Sequence, residues 1–134
     1  MVTQPEIVME WANGDYLFAL RGAQIEALEA ECINPDTGKG GIGIAAIFSR
    51  IMGMTWYRSD LTNIIRLGLV GGGMGAVEAL RLVRDYAETV PLSSLTPGVG
   101  ANSPLTVAQA VITAAVAGIP KSDETGKETE TPGE

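Results

Sequence analysis

Two short runs near the N-terminus alternate apolar and polar residues with a period of two. Ile7, Met9 and Trp11 share one face, and Tyr16, Phe18 and Leu20 share another. Asn13-Gly14 lies between the runs and accepts the positive φ of a tight turn, so Ile7–Trp11 and Tyr16–Leu20 predict a β-hairpin. A lone hairpin is marginally stable in water, so the Tyr16/Phe18/Leu20 face must lie against a helix. Beyond it the apolar spacing becomes helical. Ile25, Leu28 and Cys32 fall at i, i+3 and i+7 of a helix over Gln24–Cys32, with Glu26, Glu29 and Glu31 mostly outward. Pro35 and Gly38 break it, and a loop runs to Gly43. Ile44, Ile47, Phe48, Ile51 and Met52 form the stripe of a second helix, ended by Gly53.

Ser59 or Asp60 is placed to cap a third helix, whose apolar side is Leu61, Ile64, Ile65 and Leu67–Val70. Gly71-Gly72-Gly73 stops it and turns the chain. A fourth helix is predicted over Met74–Val90, with Val77, Leu80, Val83, Ala87 and Val90 as its buried stripe and Pro91 as its end. A loop rich in Ser, Pro and Gly runs to Asn102. Ser103-Pro104 then combines an N-cap with proline at the first helical position, starting a fifth helix over Leu105–Ala117 that Gly118 and Pro120 stop. Lys121–Glu134 has no large apolar residue to offset its ordering entropy, which predicts disorder. The expected fold class is mainly α (α+β): an N-terminal β-hairpin followed by about five short helices in one compact bundle. Residues 1–120 form the single domain and residues 121–134 the disordered acidic tail.

Composition supports this reading. With 46% apolar residues and few aromatics, the core must be built largely of Leu, Ile, Val, Ala and Met, which suits helices packed on helices. The net charge is −7. Up to Pro120 the chain carries 11 acidic and seven basic residues, and beyond it five and two, so the body holds about four of the excess negative charges. An acidic chain without a basic stripe argues against nucleic acid as a partner. Cys32 is the single cysteine, which points to a reducing compartment. Met1–Glu10 does not read as a signal peptide. The most apolar stretches, Ile42–Met54 and Val107–Ile119, are shorter than the roughly 20 residues that cross a bilayer, so no membrane contact is expected.

Candidate chemistry is sparse. The chain has no His, which excludes histidine-based catalysis and, with a lone Cys, the usual zinc sites. Its acidic residues sit mainly on faces that read as solvated. Thr37-Gly38-Lys39-Gly40-Gly41 contains Gly-Lys, but a phosphate-binding loop needs glycine where Ile33 stands and Ser or Thr where Gly40 stands. Gly71-Gly72-Gly73-Met74-Gly75 follows a helical pattern rather than a strand, which favours a close backbone turn over a dinucleotide site. No catalytic residue, metal or cofactor is expected. Trp56 reads as a core residue at the start of the third helix, whereas Tyr57 fits either the core or a partner contact. Cys32 reads as a small buried apolar residue.

Against this background one resemblance stands out. Gly14-Asp15-Tyr16-Leu17-Phe18-Ala19-Leu20 and Ile25-Glu26-Ala27-Leu28-Glu29 resemble the start of the gene-transfer-agent family of phage tail proteins. The likeness continues through Ile47, Arg50, Asp60 and Ile64-Ile65-Arg66-Leu67-Gly68-Leu69-Val70-Gly71-Gly72-Gly73. It then takes in Glu78-Ala79, Leu82-Val83, Tyr86 and Ala108–Gly118. The family is similar to tail assembly chaperones and has also carried a tail tube label. The resemblance implies a protein in the cytoplasm of a bacterial host, encoded by a prophage or gene transfer agent. Such a protein binds the tape measure protein and recruits major tail tube subunits, with self-association also open. The alternative is a structural tail component retained in the particle. A helical domain of this kind can offer an apolar groove to an amphipathic helix. Trp56, Tyr57, Leu69, Val70, Gly71, Gly72 and Met74 are the residues placed to line it, although the same residues would serve equally well as core.

Overall fold

The computed structural model describes residues 3–88, 91–92 and 102–120. The predicted end of the fourth helix at 89–90, most of the following loop and the acidic tail lie outside the described residues. The chain order is β1 (Thr3–Gln4), β2 (Glu6–Trp11), β3 (Gly14–Ala19), α1 (Gly22–Glu31), α2 (Ile44–Met52), α3 (Arg58–Gly71), α4 (Ala76–Tyr86), α5 (Pro104–Ala117) and β4 (Ile119–Pro120). A hairpin followed by five helices is the predicted architecture. The antiparallel β1–β4 pair, which joins Thr3 to Pro120 and Gln4 to Ile119, was not predicted. Two-residue strands carry no period that a sequence can show.

In the hairpin, Ile7 lies opposite Phe18, Met9 opposite Tyr16 and Trp11 opposite Gly14. Opposed residues share a face, so the two predicted apolar faces are one surface. Its centre is Trp11, whose ring meets Tyr16, Phe18 and Tyr86 edge-on at 6.2–6.3 Å. The turn sits one residue earlier than predicted. Ala12 and Asn13 form the two-residue loop, and the positive φ of 56° falls on Ala12 instead of Gly14. The Tyr16 hydroxyl donates to the Asn13 side chain across this loop.

α3 is the axis of the fold. It packs against β3, α1, α2, α4 and α5, and Leu61, Ile64, Ile65, Leu67 and Leu69 are all buried. A helix with so many neighbours keeps only a narrow polar side, at Ser59, Asn63 and Arg66, which is why its apolar residues cover most of its circumference. It also starts earlier than predicted. Tyr57 is the N-cap residue, and Asp60 sits inside the first turn, where its Oδ2 accepts from the Tyr57 backbone N–H at 2.8 Å.

The C-terminal end of α3 explains the glycine run. A Cβ added at Gly71 would lie 1.8 Å from the Ala19 carbonyl oxygen, and one at Gly72 would lie 2.0 Å from that of Leu17. Gly73 then takes φ 113° to turn the chain into α4. Arg21 ties this corner together. Its Nε donates to the Gly71 carbonyl at 3.0 Å while its Nη1 meets Glu6 at 3.2 Å. A cation at the last carbonyls of a helix complements the helix dipole.

α2 and α5 follow the sequence closely. α2 has the predicted limits, and the Glu29 carboxylate accepts from its first amide, Ile44 N–H, at 2.8 Å. Ser103 caps α5 by accepting from Thr106 N–H at 3.2 Å, with Pro104 in the first turn. α4 departs most. Its buried face is Ala79, Val83 and Ala87, flanked by half-buried Leu82 and Tyr86, whereas Val77 and Leu80 are exposed. The predicted stripe was therefore rotated. The true stripe uses smaller side chains, because α4 lies close against α3.

Candidate partner-binding surfaces

Two kinds of site emerge: a buried ionic cluster that fixes the start of α3, and apolar patches that nothing in the described chain covers. The cluster is built from three elements. Arg50 near the end of α2 donates from Nε and Nη2 to the two carboxylate oxygens of Asp60, at 2.8 and 2.7 Å, while its Nη1 donates to the Ile33 carbonyl at 2.8 Å. Asp60 is fully buried and Arg50 nearly so. A bidentate Arg–carboxylate pair of this kind is strong and directional. The Tyr57 ring covers the guanidinium at 4.8 Å from its centroid, a cation–π contact. Cys32 lies beside the pair. Burial pushes its thiol up to about 12 from 9.0, and the neighbouring Asp60 carboxylate adds to the rise. The thiol is thus held protonated and unreactive, as befits the small core residue expected from sequence.

This cluster corrects one expectation. Asp60 was read as a cap and the acidic residues as mainly solvated, yet Asp60 is an interior anion whose partners come from α2 and from the Tyr57 amide. Arg50 and Asp60 are ten residues apart, with a helix end and a loop between them. No local period joins them.

The residues predicted to line a groove are divided between the core, a backbone contact with β3 and the surface. Leu69 is 1% exposed and belongs to the core. Substituting Leu69 by Asp would therefore disrupt folding, and could not report on partner binding alone. Val70 and Met74 are half-buried against the same core. Gly71 and Gly72 are turned towards β3, where their missing side chains make room for the Leu17 and Ala19 carbonyls. Trp56 is half-buried on the core, as its core reading required. Tyr57, at 37% exposed, keeps one face on Arg50 and the rest in solvent. For Leu69, Gly71 and Gly72, core packing accounts for the residues.

The exposed apolar residues lie elsewhere. Val77 and Leu80 are 74% and 49% exposed. With Ala76 and Arg66 they line an open groove of about 430 Å³ between α3 and α4. Met52 and Met54 form a second patch at the end of α2. Thr113 and Gln109 of α5 reach the two sulfurs at 4.0 and 3.9 Å, and exposed Val116 lies one turn beyond Thr113. Val8 and Leu17, paired across the hairpin, are exposed on its outer face. One signal in the sequence could have exposed the groove. α4 carries two apolar stripes, Ala79/Leu82/Val83/Tyr86 and Val77/Leu80, and a helix with one buried face needs a single stripe.

Among the described residues no helix is long and apolar enough to cross a membrane, and no group of His, Cys, Asp or Glu is arranged to hold a metal. No curated protein and no solved structure matches the chain. A family model does match, over residues 4–118, which takes in the hairpin and all five helices. The chain belongs to that family of phage tail proteins, described as phage tail tube protein, GTA-gp10.

Proposed function

We propose that the protein is a tail assembly chaperone, which holds the tape measure protein, recruits major tail tube subunits and leaves before the particle matures. The observation that carries this reading is the state of the hairpin edges. A tube wall closes into rings by pairing sheet edges, and an open edge needs free backbone groups. Here the outer carbonyls of β3, at Leu17 and Ala19, face the Gly71-Gly72 backbone of α3. On the other edge the Glu10 carbonyl of β2 accepts from the Asn102 side chain at 2.8 Å. The β3 edge is thus covered within the chain and the β2 edge is engaged at Glu10. Besides the Val8/Leu17 pair of the hairpin, exposed apolar surface lies on helices at Met52, Val77, Leu80 and Val116, which suits capture of another helix.

The proposal includes no catalytic role. Asp60 has both carboxylate oxygens occupied by Arg50 and the Tyr57 amide, which leaves it no part in acid–base chemistry. The proposed setting is the cytoplasm of a bacterial host. The second reading is a structural component retained in the tail, which the family's tail tube description favours.

Mass spectrometry of purified particles separates the two. The chaperone reading expects peptides of this chain to be absent or trace in finished particles, and expects the tape measure protein to co-purify with it from assembling cells. Peptides at a level comparable to the tube subunit would sink that reading.

A further inference from the structure

We propose that Met52 and Met54 form a paired, reversible oxidation site, where peroxide converts both thioethers to sulfoxides that Thr113 and Gln109 of α5 then hold. Met52 is the last residue of α2 and Met54 follows two residues later; they are 46% and 57% exposed. Gln109 Nε2 donates to the Met54 sulfur at 3.9 Å, and Thr113 Oγ1 donates to the Met52 sulfur at 4.0 Å. The two donors stand at i and i+4 of α5, so one face of one helix serves both sulfurs. Of the other described methionines, Met9 and Met74 are half-buried against the core. Cys32, buried and held protonated, does not compete for peroxide.

The backbone marks the same place independently. α2 closes with Gly53 as its C-cap and with the Thr55 N–H donating to the Arg50 carbonyl at 2.9 Å. In this closure the residue after the cap turns left-handed, a position that glycine usually takes. Here glycine stands one place early, and Met54 adopts φ 64°. Packing does not account for a strained methionine, because more than half of Met54 is in solvent. The strain instead brings a second sulfur to α5, and residues held in such conformations cluster at functional sites.

The step balances with hydrogen peroxide as the oxidant. A sulfur lone pair attacks one peroxide oxygen and forms the S–O bond. The O–O bond breaks, and the departing oxygen takes up the proton of the transferred one and leaves as water. Sulfur gives up two electrons and peroxide accepts them. A thioether is a weak acceptor, and contacts of 3.9 and 4.0 Å are long. A sulfoxide oxygen accepts more strongly and projects beyond the sulfur. With three rotatable bonds, the side chain can turn that oxygen to its donor in either epimer. Oxidation therefore exchanges two weak contacts for two full hydrogen bonds between α2 and α5. It also makes polar the patch that the methionines share with Val116. Sulfoxide reductases, one for each epimer, reverse the change. The inference holds whether the chain leaves the particle or stays in it.

The test treats the full chain with dilute hydrogen peroxide and follows each methionine by peptide mass spectrometry. Met52 and Met54 should each gain one oxygen at least ~10-fold faster than Met9 and Met74, equivalent to about 1.4 kcal/mol in barrier. A pair of sulfoxide reductases should remove both oxygens. At the stage where only this pair has reacted, the thermal midpoint should have risen by roughly 4 °C. Gln109→Leu with Thr113→Val should abolish that rise. Met52→Leu with Met54→Leu keeps the volume and removes the sulfurs, so peroxide should leave its midpoint unchanged; this variant decides alone if the α5 variant does not fold. Met9 or Met74 reacting as fast as the pair would overturn the proposal. So would a wild-type midpoint that stays or falls on oxidation, or a rise that persists in either variant.

Discussion

α3 and α4 are consecutive, joined by three glycines, and both rich in aliphatic residues, yet they play opposite parts. α3 is surrounded by β3 and four helices, with an interior anion in its first turn and its last turn pressed onto the hairpin. α4 packs mainly on α3, reaches the hairpin through Tyr86 against Trp11, and leaves Val77 and Leu80 in solvent. The difference lies in what each helix gives up. α3 gives up side chains at Gly68, Gly71 and Gly72 so that other elements can approach. α4 keeps two apolar stripes and finds a partner for only one of them among the described residues. Apolar content by itself therefore says little about which helix is core and which keeps apolar residues exposed.

This contrast can be broken most severely at the start of α3. Asp60→Ala leaves Arg50 buried without its carboxylate, and removing one partner of a buried pair costs about 3–5 kcal/mol. Chemical denaturation should show a loss of that size. A loss under 1 kcal/mol would mean that the pair is not closed in solution. The next largest effect is expected at the other end of the helix. Gly71→Ala sets a methyl against a backbone carbonyl, which cannot swing away as a side chain can. Overpacking of this kind costs about 1–3 kcal/mol, so the thermal midpoint should fall clearly, whereas Gly75→Ala, with open space around it, should move it far less. The smallest effect belongs to α4. Val77→Ser with Leu80→Ser removes exposed apolar surface, and such surface changes stay within about 0.5 kcal/mol each. A cooperative loss of several kcal/mol there would make α4 part of the core and remove the contrast.

Much of the fold was legible because it follows from local rules. The period of two in Ile7–Trp11 and Tyr16–Leu20, the Ser103-Pro104 start and the stripe from Ile44 to Met52 each state an element within a few residues of chain. The hairpin turn was misplaced by one residue because Gly14 is the better residue for a positive φ, yet the strand register puts Ala12 there. The rotation of α4 was missed for a related reason. Val77 and Leu80 are larger than Ala79, so a reading by hydrophobicity extended the stripe to them, although Val83 and Ala87 of the same stripe are buried as expected. Of the predicted partner residues, Leu69 went to the core and Gly71 and Gly72 to the contact with β3. The open groove at Arg66, Ala76, Val77 and Leu80 is lined by residues on either side of them in the chain.

The sequence by itself determined the succession of elements, the mainly aliphatic core, the acidic balance and the glycine break between α3 and α4. These depend on residue type and short spacing, which a chain carries whether folded or not. Only the tertiary structure decided that Asp60 is an interior partner of Arg50, that the glycines at 71 and 72 admit the carbonyls of β3, and that α4 turns Val77 and Leu80 outward. Each is a contact or an exposure between segments far apart in the chain. The physical reason is that local spacing fixes where a helix is apolar, while the number of neighbours it finds fixes how much of that surface is left for a partner.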